Sequence, residues 1–235
     1  MILKELIQRS PIRIFEQSIH GGLNDGEIGV IASPTGIGKT SVLVQLAMDK
    51  LLQGKKVIHV SFTQHKQYVP LWYEDIFAEF TNKKNLENAA EVKDDLVKNR
   101  VLMNFNQDGV TQDQILKSFR AMIVDGGFKA DSIIIDGFDF SRADQSRMDN
   151  VKKFAAELGL KVWYSCSVKD NGASAYDKDN IPVVLKDFTN NIDVIIVLRP
   201  KSDHIELSVS RDRNTAVSKS MAMKLDPKTL LILEA

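Results

Sequence analysis

From residue 27 to residue 47 the chain reads Glu-Ile-Gly-Val-Ile-Ala, then Ser33-Pro34-Thr35-Gly36-Ile37-Gly38-Lys39-Thr40, then Ser-Val-Leu-Val-Gln-Leu-Ala. An apolar run, a loop with two glycines and an amphipathic run follow one another, which predicts a strand, a tight loop and a helix. The loop matches the pattern G-x-x-x-x-G-K-[ST], except that Ser33 replaces the first glycine. The alternative, that Gly-Lys-Thr merely opens a helix, is disfavoured by the strand before it and the helix after it.

The residue types of this loop suit a phosphate group. Gly36 and Gly38 let the backbone curve closely round an anion, which the N–H groups of the loop and of the helix N-terminus then face. Lys39 can reach the β- and γ-phosphates of a nucleotide, and the Thr40 hydroxyl can ligate Mg²⁺. The loop therefore predicts a site for a nucleoside triphosphate with these contact residues: Ser33, Pro34, Thr35, Gly36, Ile37, Gly38, Lys39, Thr40 and Ser41.

A second candidate element, a strand that ends in an acidic residue, follows about 95 residues later. Residues 132–136 read Ser-Ile-Ile-Ile-Asp, a short β-branched strand that ends in Asp136. Open α/β sheets bind ligands at the carboxyl ends of their strands, and an aspartate there can hold Mg²⁺ directly or through water. Such a strand is common by itself, but its position after a phosphate loop makes Asp136 the predicted partner of Thr40 at a magnesium site.

The remaining pattern predicts an α/β fold with a mainly parallel, twisted sheet flanked by helices. Strand 28–32, helix 40–52 and strand 57–62 form a unit whose strands are expected to run parallel. Further predicted elements, in chain order, are helical residues 64–100, strand 101–105, a helix capped by Thr111 and Gln114, strand 132–136, helix 147–158, strand 162–165 and strand 193–198. The polar loop 169–191 shows no strong periodicity.

The two ends of the chain differ from the parallel core in the elements that their sequence predicts. Strands 205–210, 221–225 and 230–233 have no helices between them, so antiparallel strands are expected to extend the sheet. Residues 1–26 are a lead-in, in which a helix with Leu3, Leu6 and Ile7 is expected to stop at Pro11. We expect residues 1–235 to form a single domain.

Composition narrows the class of protein. The 235 residues have a formal net charge of zero, so no global field favours nucleic acid or an acidic membrane surface. The single cysteine, Cys166, excludes an internal disulfide framework and is expected to be a buried, inert thiol. We see no signal-peptide pattern and no apolar run of membrane-spanning length, and therefore predict a cytoplasmic protein with no membrane partner.

Several motifs, taken in order, resemble those of one superfamily. These are Gly21-Gly22-Leu23, the phosphate loop, Lys56-Val-Ile-His-Val-Ser-Phe62, Asp108-Gly-Val-Thr-Gln-Asp-Gln-Ile115, Ile133-Ile-Ile-Asp136-Gly-Phe, Ser210-Arg211-Asp212-Arg213-Asn214 and Lys224-Leu-Asp-Pro-Lys228. Over about residues 20–233 the chain resembles the RecA-like P-loop ATPases, and looks most like the ATPase domain of DnaB-type replicative helicases and their KaiC-like relatives. The resemblance implies a RecA-like fold, ATP and Mg²⁺ as ligands, and a homo-oligomer, ring or filament, with ATP at the subunit interfaces.

The resemblance also implies catalytic roles. Lys39 and Asp136 take the phosphate and magnesium roles, and the segment with Arg211 and Arg213 resembles the stretch that carries an arginine finger, which would act in trans on a neighbouring subunit's γ-phosphate. The alternative for both arginines is a solvated strand edge, and the two interpretations stay open.

Three departures concern catalysis. Thr63 stands where the family has the glutamate that activates water, and a threonine has no carboxylate to act as a comparable base. Gln64 is the candidate to orient a water molecule instead, with Glu74 and Asp139 as further candidates. The sensor glutamine of the family aligns near Ser167, and we expect no counterpart in this sequence of the N-terminal helical domain and linker helix of full replicative helicases.

Nucleic-acid binding has weak local support. The loops that line the channel in DnaB-like proteins correspond to about residues 140–147 and 168–190 here. They contain basic and acidic side chains together: Arg142, Arg147, Lys169 and Lys178 with Asp170, Asp177 and Asp179. A groove that follows phosphates should have a clearer basic excess, and the lone Tyr176 is a minor stacking candidate.

Three functions therefore remain at this stage. The first is an ATPase with slow or partner-stimulated hydrolysis, the second is an ATP-binding switch or scaffold without catalysis, and the third is a helicase or helicase-loader-like protein that acts on single-stranded DNA. Protein partners are compatible with all three.

Overall fold

The computed structural model describes residues 7, 10–62, 68–84, 89–169 and 175–234. In this part of the chain the helices are α1 (Pro11–Gln17), α2 (Lys39–Leu52), α3 (Tyr68–Lys84), α4 (Ala89–Lys98), α5 (Gln112–Arg120), which continues as a π-turn over Ala121–Asp125, and α6 (Gln145–Leu158). The strands are β1 (Ile28–Ser33), β2 (Val57–Ser61), β3 (Arg100–Asn104), β4 (Ser132–Asp136), β5 (Lys161–Ser167), β6 (Val194–Pro200), β7 (Ile205–Asp212), β8 (Thr215–Leu225) and β9 (Ile232–Glu234).

These strands form one sheet in the order β3-β2-β4-β5-β1-β6-β7-β8-β9. The neighbours from β3 to β6 pair in parallel, and β6, β7, β8 and β9 pair antiparallel. The predicted mixed α/β fold, with a mostly parallel sheet and antiparallel strands at its C-terminal end, is confirmed. Parallel strands must all have crossover connections, and these carry the helices that cover the two faces.

The two faces of the sheet bury different sets of helices. On β4, Ile134 joins the cluster beneath α1, α2, α3 and α4, whereas Ile133 and Ile135 join the cluster beneath α5 and α6. This alternation follows from the period of two along a strand. Because both faces are covered, the central strands are mainly apolar, with His59 in β2 and Ser165 in β5 as buried polar exceptions.

Local signals fix several element boundaries as predicted. Thr111 and Gln114 form the expected capping box at the start of α5. Asp144, which was not predicted as a cap, accepts a hydrogen bond from the backbone of Arg147, so α6 begins two residues before its predicted start, and Gly159 ends that helix in the left-handed conformation. The Cys166 thiol is buried, as expected.

Three expectations about elements need correction or lie outside the described residues. Pro11 begins α1, a helix that was not predicted, because Ser10 accepts a hydrogen bond from the backbone of Ile12 and proline suits the first turn. The expected helix at residues 3–7 lies outside the described residues except for Ile7, which is helical. The loop 169–191 contains a short 3-10 helix at Val183–Phe188.

No helix in the described part of the chain combines the length and apolar character that crossing a bilayer requires.

Candidate nucleotide site

The candidate site lies at the carboxyl edge of the parallel strands. The phosphate loop follows Ser33, which is paired in register with Ser167 at the end of β5. Asp136 ends β4, the next strand along. Side chains that are far apart in sequence therefore meet at one edge of the sheet, as the strand pattern predicts.

The backbone of the loop has the conformation that its glycines permit. Gly36 has φ of 84° and Gly38 has φ of 102°, values in the left-handed region that favours glycine. Gly38 is also the N-cap of α2, and it has no side chain to cap the N–H groups of the first turn. Those groups and the helix dipole form the kind of anion site that a helix N-terminus provides.

Gly38 is constrained from outside the loop as well. A Cβ atom at this position would lie 2.6 Å from Cδ2 of Leu225, at the end of β8. Leu225 is fully buried, so it has little freedom to move away. The antiparallel extension of the sheet therefore sets the shape of the phosphate loop, a contact that no local motif reveals.

Lys39 is buried at the base of the loop with only 8% of its surface exposed. Its ammonium group donates to the Ser33 carbonyl at 3.1 Å, to the Ser33 hydroxyl at 3.3 Å and to the Pro34 carbonyl at 2.8 Å. Burial lowers the pKa of Lys39, and the nearby Cys166 and Asp136 partly offset this effect. A desolvated cation held by neutral acceptors is well placed to interact with an anion.

Thr40 and Asp136 are directly connected. The Thr40 hydroxyl donates to Oδ2 of Asp136 at 2.8 Å, and Asp136 is only 5% exposed. Mg²⁺ prefers hard oxygen ligands, and a hydroxyl and a carboxylate that already touch fit that preference. The site thus brings together three of its predicted residues, and a magnesium ion with a triphosphate suits their chemistry.

Ser41 faces a different direction from the loop. Its hydroxyl donates to the carbonyl of Leu230 at 2.5 Å. Gln45, one turn later, donates to the same carbonyl at 2.9 Å and accepts from the backbone N–H of Ile232 at 2.8 Å. The side chain of Ser41, predicted to contact phosphate, instead joins α2 to the turn that precedes β9.

Arg213 lies at the opposite edge of the sheet from Lys39. Its guanidinium donates to both carboxylate oxygens of Glu27, just before β1, and to the carbonyls of Ile19 and Gly22. It also donates to Asp212, so five hydrogen bonds match its five N–H groups. Arg211 donates through Nε to the carbonyl of Ile192 at 3.0 Å. The structure does not bring either arginine to the phosphate loop of its own chain.

The contacts around Glu27 lower its pKa. Burial by itself raises the pKa of Glu27, but hydrogen bonds from Asn24 and Arg213, with the arginine charge, outweigh it and leave the pKa lowered. The Arg213 pKa is raised because its bonds to Asp212 and Glu27 outweigh the opposing effect of burial.

The candidates for water activation are placed as follows. Thr63 and Gln64 lie outside the described residues. Glu74 is on α3, is about half exposed and pairs with Lys93. The carboxylate of Asp139 caps the short helix at Phe140–Arg142.

Sequence reasoning missed several residues that shape the site. The Ser165 hydroxyl accepts from the backbone N–H of Gly137, next to Asp136, at 2.8 Å. Leu225 and Gln45 position the loop and its helix from the C-terminal side, as described above. Their partners are 28 or more residues away in the chain, so only the presence of polar residues on otherwise apolar elements could have drawn attention to Ser165 and Gln45.

Several side chains of the predicted nucleic-acid loops have partners within the chain. Arg142 pairs with Asp108 and Asp139, and Arg147 pairs with Asp144. The ring of Tyr176 lies 5.1 Å from the guanidinium of Arg199. Asp170 lies outside the described residues. The described arginines of the first loop are thus engaged with carboxylates of the same chain.

No protein-family model matches this chain, and no curated protein matches it at a significant level.

Proposed function

We propose that this protein is a RecA-like P-loop ATPase that binds ATP with Mg²⁺ and assembles with nucleotide at its subunit interfaces. The observation that carries the proposal is the cluster of Lys39, Thr40 and Asp136 at the carboxyl edge of the parallel strands, next to a glycine loop at a helix N-terminus. The order of the sequence motifs supports the DnaB-like and KaiC-like branch.

The chain's own residues have distinct roles in this proposal. The N–H groups of the loop and the first turn of α2 bind the phosphates, and the Lys39 ammonium exchanges its loop carbonyls for phosphate oxygens. Thr40 and Asp136 hold Mg²⁺, which neutralises charge on the β- and γ-phosphates when it is bound. The close approach of Leu225 to Gly38 and the hydrogen bonds of Gln45 to the C-terminal segment maintain the geometry of the loop.

An ATP-binding switch without catalysis is the second candidate. The engagement of all five Arg213 N–H groups within the chain favours it, since an arginine finger must release such bonds to act on a neighbour. The Thr63 departure points the same way.

Calorimetric titration of ATP with Mg²⁺ tests the binding proposal. We expect Lys39→Ala to weaken binding by at least about tenfold, because charge-assisted hydrogen bonds are lost. Lys55→Ala, which removes an exposed lysine beyond the far end of α2, is the matched control and should bind like the wild type. Equal ATP affinity in both variants would overturn the proposal.

Phosphate release then separates the two candidates. Steady turnover that Lys39→Ala abolishes supports the ATPase. Tight binding without phosphate release, in the wild type and with candidate partners added, supports the switch.

A further inference from the structure

A cavity of about 380 Å³ lies behind the phosphate-loop helix, between α1, α2, α3 and β9. Its walls are mainly apolar and include Ile12, Met48, Leu52, Ile76, Leu231 and Leu233. This volume is within the range of pockets that bind small molecules, roughly 300–1,000 Å³. The cavity is separate from the carboxyl edge of the sheet, where the phosphate loop lies.

One buried polar group in the wall is unsatisfied. Asp49 lines the cavity and is only 2% exposed. Its Oδ2 atom accepts from Gln53 at 2.7 Å and from Arg13. Its Oδ1 atom is buried and has no hydrogen-bond partner among the described residues, and neither has the buried Nε atom of Arg13 in the same ion pair. A carboxylate oxygen in such a position strongly favours a donor.

The charges near Asp49 already balance. Arg13 pairs with Asp49 and with Glu16, and Lys50 pairs with the same glutamate at 2.7 Å. Two positive and two negative side chains give a net charge of zero. A charged ligand would therefore bring an unpaired charge into an apolar space, which is costly. A neutral donor satisfies Asp49 without that cost.

Water alone is a poor occupant of this space. A single water molecule takes about 30 Å³ and needs two to four polar partners. One water could bind Oδ1, but the apolar walls offer few partners to others. An occupant with an apolar body and one donor fits both the walls and the carboxylate.

We propose that this cavity is a binding site for a neutral organic molecule that has an apolar, ring-sized body and one N–H or O–H group, which donates to Oδ1 of Asp49. The site is independent of the nucleotide site, so its existence does not depend on the function proposed above.

Indole and 1-methylindole are a matched pair of probes, because the methyl group removes the only donor. Carbon-13 methyl spectra of the full chain report on Met48 and Ile76 in the cavity wall. We expect indole to shift both methyl signals saturably and to bind about fivefold more tightly than 1-methylindole, the effect of one net hydrogen bond. Tryptamine, a cation at neutral pH, should bind more weakly than indole.

Variants test the role of Asp49. In Asp49→Asn the amide oxygen is required by Arg13 and Gln53, so the NH₂ group faces the cavity and the preference for indole should disappear. Asp203→Asn, an exposed site with the same charge change, should keep it. Leu233→Trp, which fills the half-buried rim, should abolish binding of both probes. No saturable shift with indole, equal affinity for both probes, or a preference that survives Asp49→Asn would overturn the proposal.

Discussion

His59 is a fully buried ionisable residue in the middle of β2. Its Nδ1 atom lies 3.0 Å from the Tyr73 hydroxyl, and its Nε2 atom is buried with no hydrogen-bond partner among the described residues. Burial lowers the pKa of His59 to about 4, against the opposing charge of Asp136 and with a smaller contribution from Arg100. The imidazole is therefore neutral at physiological pH.

This low pKa predicts a loss of stability in mild acid. The unfolded histidine takes up a proton near pH 6.5, whereas the folded one does so near pH 4, so protonation favours unfolding between these values. We expect the free energy of unfolding in urea to fall by about 2 kcal/mol from pH 7 to pH 5 through this residue. His59→Phe, which keeps an aromatic ring against Tyr73, should flatten that part of the pH profile. A constant difference between the two proteins at all pH values would contradict this account.

Two roles are open for Arg213, an intrachain clamp and an arginine finger in trans, and stability measurements separate them. As an intrachain clamp it joins the turn after α1 to the strand start at Glu27 and to the β7–β8 hairpin. Removal of one partner from a partly buried ion pair leaves the other charges uncompensated. We therefore expect Arg213→Ala to lower the free energy of unfolding by about 2–4 kcal/mol.

Arg120→Ala is the matched control for this experiment. Arg120 also makes a bidentate pair, with Glu157, but on an exposed surface where such pairs contribute little. Its removal should cost far less stability. If Arg213→Ala unfolds at the wild-type urea concentration, the clamp is unimportant and the arginine is free for the predicted role in trans.

At the scale of elements, the phosphate loop offers a comparison between two glycines. Gly36 and Gly38 both have positive φ, but a Cβ would meet nothing within 4 Å at Gly36 and would lie 2.6 Å from Leu225 at Gly38. Left-handed backbone costs a residue with a Cβ about 1–2 kcal/mol in either case. We expect Gly36→Ala to keep ATP affinity within a few fold, and Gly38→Ala to lose at least about tenfold, because the loop must also shift.

A second substitution checks the cause of that difference. Leu225→Ala removes the atom that a Cβ at Gly38 would strike. Combined with Gly38→Ala, it should recover part of the ATP affinity in calorimetry, and the remaining loss should match that of Gly36→Ala. Equal effects of the two single glycine substitutions would show that the contact with Leu225 does not shape the loop.

The elements differ in how far the sequence predicts them. The short β-branched strands were predicted to within a few residues, because apolar runs between turn signals are local features. The start of α1 was missed because Pro11 was interpreted as a stop, although Ser10 and Pro11 together are also a start signal. The partner of Arg213 at Glu27 is 186 residues away, and no local pattern specifies such a contact.

At the scale of the whole molecule, the sheet separates the phosphate loop from Arg213. Lys39 follows the carboxyl end of β1, whereas Arg213 binds Glu27 at the amino end of the same strand. The backbone N–H of Arg213 also donates to the carbonyl of Asp193, just before β6. If Arg213 contacts a nucleotide, that nucleotide is therefore bound to another copy of the chain.

This separation makes assembly the decisive property of the proposed ATPase. With a non-hydrolysable ATP analogue and Mg²⁺, we expect light scattering coupled to size exclusion to show a larger species than the nucleotide-free protein. At an analogue concentration that saturates only the wild type, the Lys39→Ala variant should stay at the nucleotide-free mass because it binds the phosphates more weakly, and Lys55→Ala should assemble like the wild type. A mass that is unchanged by the analogue, from low to high micromolar protein, would exclude nucleotide at subunit interfaces while leaving ATP binding by the single chain intact.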